Sequence, residues 1–275
     1  MGNSIESRDW QLVLRQALIA TRLGRQVLLD YFGRLKNVEE KFQAGLVSEA
    51  DRESEKVMKD YLNQHFPDFE FLGEESFAAG TDVQELSQSS GGRWILDPLD
   101  GTTNYIHQFP IFCISLGLEL NGQMQLAIID VPVLGETYTA IRGQGAFVNG
   151  QKIQVSQTTE IKKSLLATGF FAENPEVLEE QIKIFSQIVK ECRGIRRAGA
   201  AAFDLCMVAR GVFDAYWEKD LKPWDTAAGF LLVEESGGKV TTYHGQDFSP
   251  YAPSLVASNG LIHQTLVHEI KSLCR

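Results

Sequence analysis

Two aspartates stand three residues apart in the stretch WILDPLDGTTN, where three apolar residues run into Asp97, Pro98, Leu99, Asp100 and Gly101. Pro98 fixes its own backbone and Gly101 permits tight geometry, so a turn of this composition can aim both carboxylates at one point. An isolated Asp-Gly pair reads simply as a turn. Here a second aspartate, Thr102-Thr103-Asn104 and an apolar strand share the same eleven residues. Two uncompensated carboxylates at the end of a buried strand repel each other and call for a counter-charge. Mg²⁺ suits the position, because it binds carboxylate and carbonyl oxygens and keeps places for water and phosphate. A helix starting near Thr102 would add free N–H groups and a positive dipole end, which favour a phosphate.

Two further acidic pieces lie elsewhere in the chain. Glu74 and Glu75 in LGEES follow an apolar run and, taken alone, read as a solvated turn. Asp225, in KPWDTAAGFLLVEESGG, precedes a helical run and reads either as its N-cap or as a further acid of the site. No G-x-S-x-G elbow, H-E-x-x-H or P-loop occurs, so serine, zinc and nucleotide-triphosphate chemistries lack support. His263 and His268 are five apart, a poor spacing for one metal on one helical face, and read as core or surface residues.

The elements that must carry these groups are legible from periodicity. Val13, Ala17 and Ala20, with Leu14, Leu18 and Ile19 beside them, predict a long helix over 8–33. After a polar stretch at 34–45, SEAD (Ser48 to Asp51) has the form of a capping box, starting a second helix that runs to about His65. DFEFLGEES predicts a short strand and turn, 81–92 a loop, and RWIL a buried strand. From 111 to 148, short β-type runs broken by Asn121-Gly122, Pro132 and Gly135 suggest an antiparallel meander. Strands at 164–169, 194–197, 212–217 and 254–258 then alternate with helices at 175–191, 200–210, 224–236 and 260–273. One layered α/β unit over 1–275, with mixed sheets, is expected.

Composition sets the outer bounds. The chain has 26 Lys and Arg against 36 Asp and Glu, a net charge of −10, and no basic block, which disfavours nucleic acid and anionic membrane as partners. Cys113, Cys192, Cys206 and Cys274 form no C-x-x-C pair and read as thiols of a reducing compartment. No apolar run reaches ~18 residues and MGNSIESRDW lacks a signal-peptide core, so a soluble, cytoplasmic protein is expected. Glu6 stands where a myristoylation signal needs Ser or Thr.

GEES, WILDPLDGTTNYIHQFP and PWDTAAGFLLVEESGG, in this order, together with RGQGAFVNGQKIQVS and VASNG, resemble the inositol monophosphatase family over nearly the whole chain. The resemblance implies an αβαβα sandwich of the inositol monophosphatase and fructose-1,6-bisphosphatase type, a homodimer, and lithium-sensitive hydrolysis of a small phosphate monoester with two to three Mg²⁺ ions per site. It implies Glu74, Asp97 and the Leu99 carbonyl as ligands of the first ion, Asp97, Asp100 and Asp225 as ligands of the second, and a weaker third ion near Glu74. Glu74 and Thr102 would position the attacking water, with Asp51 orienting Thr102. Asp100, Gly101, Thr102, Thr103 and Asp225 would contact the phosphate side of the substrate. Gly199, Ala201 and Glu218 would line its alcohol side, and Lys41 would belong to a mobile loop.

Departures from the family pattern bear on substrate choice. Ala200 replaces a frequent Ser or Thr, and Gly45 stands where an aspartate is common, so weaker loop closure and third-ion binding are expected. DGTTNY is the form of inositol phosphatases, whereas histidinol-phosphate and 3′-phosphonucleotide phosphatases usually carry a basic residue after DGT. Inositol-1-phosphate or a similar sugar-alcohol monophosphate is therefore the expected substrate. Fructose-1,6-bisphosphate, NADP and 3′-phosphoadenosine 5′-phosphate are the alternatives, as is a main role in binding a macromolecular partner, since some bacterial relatives engage the transcription machinery.

Overall fold

The computed structural model describes residues 9–41, 45–77, 91–172 and 174–274. Helix α1 (Trp10–Tyr31) starts where the Asp9 carboxylate accepts N–H bonds from Gln11 and Leu12, and it buries Val13, Ala17, Ala20, Gly24 and Leu28 along one stripe. The polar stretch at 34–45, for which the sequence predicts no element, contains β1 (Val38–Lys41), which pairs with β2 (Gly45–Ser48) as an antiparallel ladder with Val38 opposite Ser48. Polar side chains hold it: Arg52 donates to Glu39, and Glu49 accepts from the Lys36 N–H and the Asn37 amide. Lys41 closes β1 opposite Gly45; its side chain lies outside the described residues, as do residues 81–90 of the loop expected at 81–92.

Helix α2 (Glu49–His65) begins with the expected capping box, Ser48 and Asp51. Strand β3 (Glu70–Gly73) then runs parallel to β4 (Gly92–Asp100), and a short helix α3 (Thr102–Ile106) follows. The meander is β5 (Cys113–Leu120), β6 (Gln123–Val131), β7 (Glu136–Ile141), β8 (Gly145–Val148) and β9 (Gln151–Lys152), which completes a seven-stranded sheet in chain order from β3.

The second half supplies β10 (Leu165–Thr168), α4 (Pro175–Ile188), β11 (Gly194–Arg196), α5 (Ala201–Ala209), β12 (Ala215–Lys219) and α6 (Pro223–Glu235). It ends in β13 (Lys239–Thr241), β14 (Ser254–Ser258) and α7 (His263–Leu273). These strands form a mixed sheet ordered β11-β10-β12-β14-β13, parallel around β10 and antiparallel around β14. Strand β12 starts later than its sequence pattern suggests, because the Val212 and Phe213 N–H groups both bond the Met207 carbonyl and close α5 with a turn.

Three apolar cores stack these elements into five layers. Leu28, Met58, Trp94, Leu96 and Leu116 fill the space between α1, α2 and the large sheet. Ile95, Ile129, Leu205, Leu231 and Leu255 fill the middle, where α5 and α6 lie between the sheets. Leu166, Ile184, Trp217, Leu266 and Ile270 join the small sheet to α4 and α7. The order is αβαβα, as the resemblance implies. Strand β4 is buried along its whole length because helices cover both its faces. Trp94 and Leu96 enter the first core and Ile95 the middle one, so strand alternation sends Asp97 toward α5 and α6. No described helix is long and apolar enough to cross a membrane. His263 is a core residue bonded to Thr241 and Ser258, and burial pushes its pKa down to about 4; His268 is exposed.

Candidate active site

Strand β4 does not stop at Asp97, as the turn composition suggested, but continues to Asp100 through a bulge. Asp97 lies opposite Ser115 and Asp100 opposite Cys113, so between them two residues, Pro98 and Leu99, face one, Ile114. Pro98 has no N–H to offer the ladder, and the Leu99 N–H turns back to Asp97 Oδ1 at 2.9 Å. The Leu99 side chain anchors the bulge in the first core while its carbonyl accepts the Thr102 hydroxyl at 3.1 Å. Gly101 then takes φ 92°, and a Cβ there would come within 3.1 Å of the Ile111 carbonyl. Helix α3 starts at Thr102 as expected, with Thr103 exposed. Its first-turn N–H groups have no carbonyl within the helix to bond.

Three of the acids double as helix caps. Asp51, at the third position of α2, accepts from the Ser48 N–H at 2.8 Å and the Ser48 hydroxyl at 2.5 Å, while its other oxygen meets the Thr102 hydroxyl at 3.2 Å. Asp100 accepts from the N–H groups of Ala201 (3.2 Å) and Ala202 (2.7 Å) at the start of α5. Asp225 is not the N-cap of α6; it stands at the third position and accepts the Lys222 N–H at 2.6 Å. The start of α6 is fixed to the large sheet by Ser115, the cross-strand partner of Asp97, whose hydroxyl bonds the Trp224 carbonyl at 2.9 Å. Glu74 follows β3 directly, and its N–H bonds the Leu96 carbonyl at 3.1 Å, next to Asp97.

Among the described residues no lysine or arginine forms an ion pair with Asp97, Asp100 or Asp225. Burial, then repulsion from Glu74, Asp100 and Asp225, pushes the Asp97 carboxyl well above the usual range. Burial lifts Asp100 to about 7, and burial with the charge of Asp100 lifts Asp225 to about 7. Asp51 rises to about 6, mainly through burial. With Asp97, Asp100 and Asp225 in no ion pair among the described residues, these acids and the Leu99 carbonyl make an all-oxygen donor set that fits a hard divalent ion. Among the described residues no three His, Cys, Asp or Glu side chains are already arranged to hold an ion.

Beside these acids opens a cavity of about 200 Å³ lined by Asp100, Gly169, Arg197, Gly199, Ala200, Ala201, Asp204, Glu218, Leu221 and Asp225. Glu218 reaches it from the end of β12, held by a very short hydrogen bond from the Tyr216 hydroxyl. Gly169 leaves room for that carboxyl, since a Cβ on it would fall 1.9 Å from Glu218 Oε2. Gly169→Ala is therefore expected to displace Glu218. It should alter the ratio of kcat/KM for a polyol phosphate to that for an aryl phosphate by about tenfold, the worth of one good hydrogen bond; an unchanged ratio would show that Glu218 makes no contact with substrate.

Sequence reasoning did not single out Asp204, Gly169 or Arg197. Asp204 is hidden as one acid in the otherwise apolar run AAFDLCMVA, where only its fully buried helix could have drawn notice. Ser48, noted as a cap, also fixes Asp51.

The model of the inositol monophosphatase family matches residues 9–274. The chain belongs to the inositol monophosphatase family. As a member it is a phosphoric monoester hydrolase. Among curated proteins it is 38% identical to the fructose-1,6-bisphosphatase/inositol-1-monophosphatase of Aquifex aeolicus, covering 94% of this chain and 95% of that one. It is 37% identical to the Nus factor SuhB of Pseudomonas aeruginosa, covering 95% and 96%. The inositol monophosphatase of Anabaena sp. superposes with a TM-score of 0.83 at 37% identity, over 96% of this chain and 97% of that structure. Family and fold are thus fixed, while the relatives' names divide over substrate and role.

Proposed function

We propose that the chain, read as one catalytic unit over 1–275, is a Mg²⁺-dependent phosphomonoesterase that converts inositol-1-phosphate or a similar sugar-alcohol monophosphate to the alcohol and inorganic phosphate. The observation that carries this reading is the cavity joining Asp100 and Asp225 to Glu218. At about 200 Å³ it is smaller than the roughly 300–1,000 Å³ of sites for drug-sized ligands, and its acid-rich lining favours a compact, hydroxyl-rich leaving group over a dinucleotide.

Glu74, Asp97 and the Leu99 carbonyl would hold one ion, and Asp97, Asp100 and Asp225 a second, with a weaker third near Glu74. Bound there, the ions would polarise the phosphoryl group, make water more acidic and offset developing charge. The chain's own groups do the rest. Thr102, held by Asp51 and the Leu99 carbonyl, directs its hydroxyl oxygen at the incoming water, and Glu74 takes that water's proton. The amides of Gly101, Thr102 and Thr103 face the phosphate oxygens. Glu218 accepts a hydroxyl of the alcohol, with Gly199 and Ala201 shaping the wall beside it. A homodimer in the cytoplasm, inhibited by lithium, completes the reading.

Two observations favour variants of it. The Aquifex relative carries fructose-1,6-bisphosphatase in its name, and the Pseudomonas relative is named a Nus factor, which supports a macromolecular partner as a second role. Phosphate release from inositol-1-phosphate, fructose-1,6-bisphosphate, histidinol phosphate, 3′-phosphoadenosine 5′-phosphate and NADP, with and without Mg²⁺ and with lithium added, tests the proposal. Mg²⁺-dependent, lithium-inhibited preference for inositol-1-phosphate is expected. Release from none of them by folded protein would overturn it and send the search to pull-downs from cell extract.

A further inference from the structure

Asp204 lines the same cavity as Glu218 and Asp100, is 2% exposed, and its Oδ1 accepts no hydrogen bond. Leaving a buried acceptor without a donor costs about 1–3 kcal/mol, so such an atom in a native fold calls for an explanation. The helix supplies the direction. Asp204 is one turn beyond Ala201 on α5, hence on the same face, and the Ala201 N–H is already bonded to Asp100. Asp204 therefore faces the site from the helix that Asp100 caps.

Its surroundings define the ligand chemistry. The charges of Glu218 and Asp100 act on Asp204, opposed by Arg197, and Arg197 acts likewise on Glu218. The cavity is thus lined by two carboxyl groups, Asp204 and Glu218, both under the electrostatic influence of Arg197, and neither belongs to the acids assigned to metal. Two neighbouring acceptors of this kind suit a pair of hydroxyl groups on one small molecule.

We propose that Asp204 is a specificity-determining residue which, together with Glu218, binds two hydroxyl groups of the polyol part of the phosphate ester. The inference rests on the phosphatase reading above and deepens it: a substrate with a single hydroxyl near its phosphate leaves one buried carboxyl unpaired. Burial raises the pKa of Asp204, favouring the protonated form, which both donates to and accepts from a hydroxyl.

The test compares Asp204→Ala and Asp204→Asn with wild type on inositol-1-phosphate and on p-nitrophenyl phosphate, which has no hydroxyl to offer, alongside thermal midpoints. In Asp204→Ala the ratio of kcat/KM for inositol-1-phosphate to that for the aryl ester should fall about tenfold or more, chiefly through KM, and Asp204→Asn should restore it to within about threefold. A ratio unmoved in Asp204→Ala, or a parallel loss on both substrates with a lowered midpoint, overturns the proposal and leaves Asp204 a structural residue. Should Asp204→Ala not fold, deoxy analogues of inositol phosphate on wild type decide the matter. At least two hydroxyls should each be worth about tenfold, and a single sensitive position overturns it. Failure of wild type to hydrolyse inositol-1-phosphate while hydrolysing another ester of the panel refutes the substrate reading instead, and the same ratio is then taken on the polyol phosphate turned over fastest.

Discussion

Asp97→Asn is expected to lower kcat/KM by roughly 10³-fold or more, the order lost when a principal electrostatic stabiliser is removed from a preorganised site. Its effect on folding should run the other way. Asn keeps the volume and the Oδ1 that accepts the Leu99 N–H, so the bulge in β4 survives. The substitution also removes one negative charge from a buried group repelled by Glu74, Asp100 and Asp225. The variant without metal should therefore match or exceed wild type in thermal midpoint. Steady-state kinetics on inositol-1-phosphate with saturating Mg²⁺, paired with melting in EDTA, reads both quantities. Near-wild-type turnover would end the two-ion assignment, and a large drop in midpoint would show that the charge supports the fold.

Metal removal should make stability depend on pH with a definite sign. Asp100 and Asp225 ionise near 7 in the folded chain against an ordinary carboxylate value of 3.8. Below that ordinary value both states are protonated and nothing is lost. As pH rises toward 7 the unfolded chain ionises freely while the folded chain resists, so stability falls through this window and levels off above it. Asp51, raised to about 6, adds to the same trend. His263 opposes it only at lower pH: its folded pKa of about 4 lies below the ordinary 6.5, so its contribution is complete above 6.5. A fall in the EDTA midpoint between pH 6.5 and 8 can thus be assigned to the acids, and each kcal/mol should move it by about 2–4 °C. Mg²⁺ should remove most of that slope and raise the midpoint, since each ion bound at a hundredfold excess over its Kd adds about 2.7 kcal/mol of stability. A flat EDTA profile above pH 6.5, or no shift with Mg²⁺, would count against a cation-demanding cluster.

Those aspects of the molecule governed by short-range rules were legible in its sequence. Ser48 and Asp51 mark the start of α2 because a capping box is a local pattern of hydrogen bonds. The meander is likewise marked by its turn residues. What escaped depends on contacts between distant segments. Strands β1 (VEEK) and β2 (GLVS) are four residues each, too short for a strand period to show, and Arg52 and Glu49 on the following helix hold β1 and the residues before it. Strand β13, three residues long, exists through its ladder to β14. Asp225 could be placed at the beginning of α6 but not at its third position, since either place satisfies a free N–H. Asp204 carries only a weak local signal, one acid in an apolar helical run. Its standing comes from a cavity assembled by β12, α5, α6 and the loop after β10.

The use of Asp51, Asp100 and Asp225 as helix caps has an evolutionary consequence. On the mechanism proposed above each carboxylate would serve the reaction, and each also anchors the first turn of α2, α5 or α6, so natural selection could not adjust the chemistry at these positions without loosening the scaffold. Such pleiotropy leaves the alcohol side of the pocket, where Ala200, Ala201 and Glu218 bear no cap of this kind, as the place where divergence is least constrained. A lineage with this fold can change what it dephosphorylates far more readily than how.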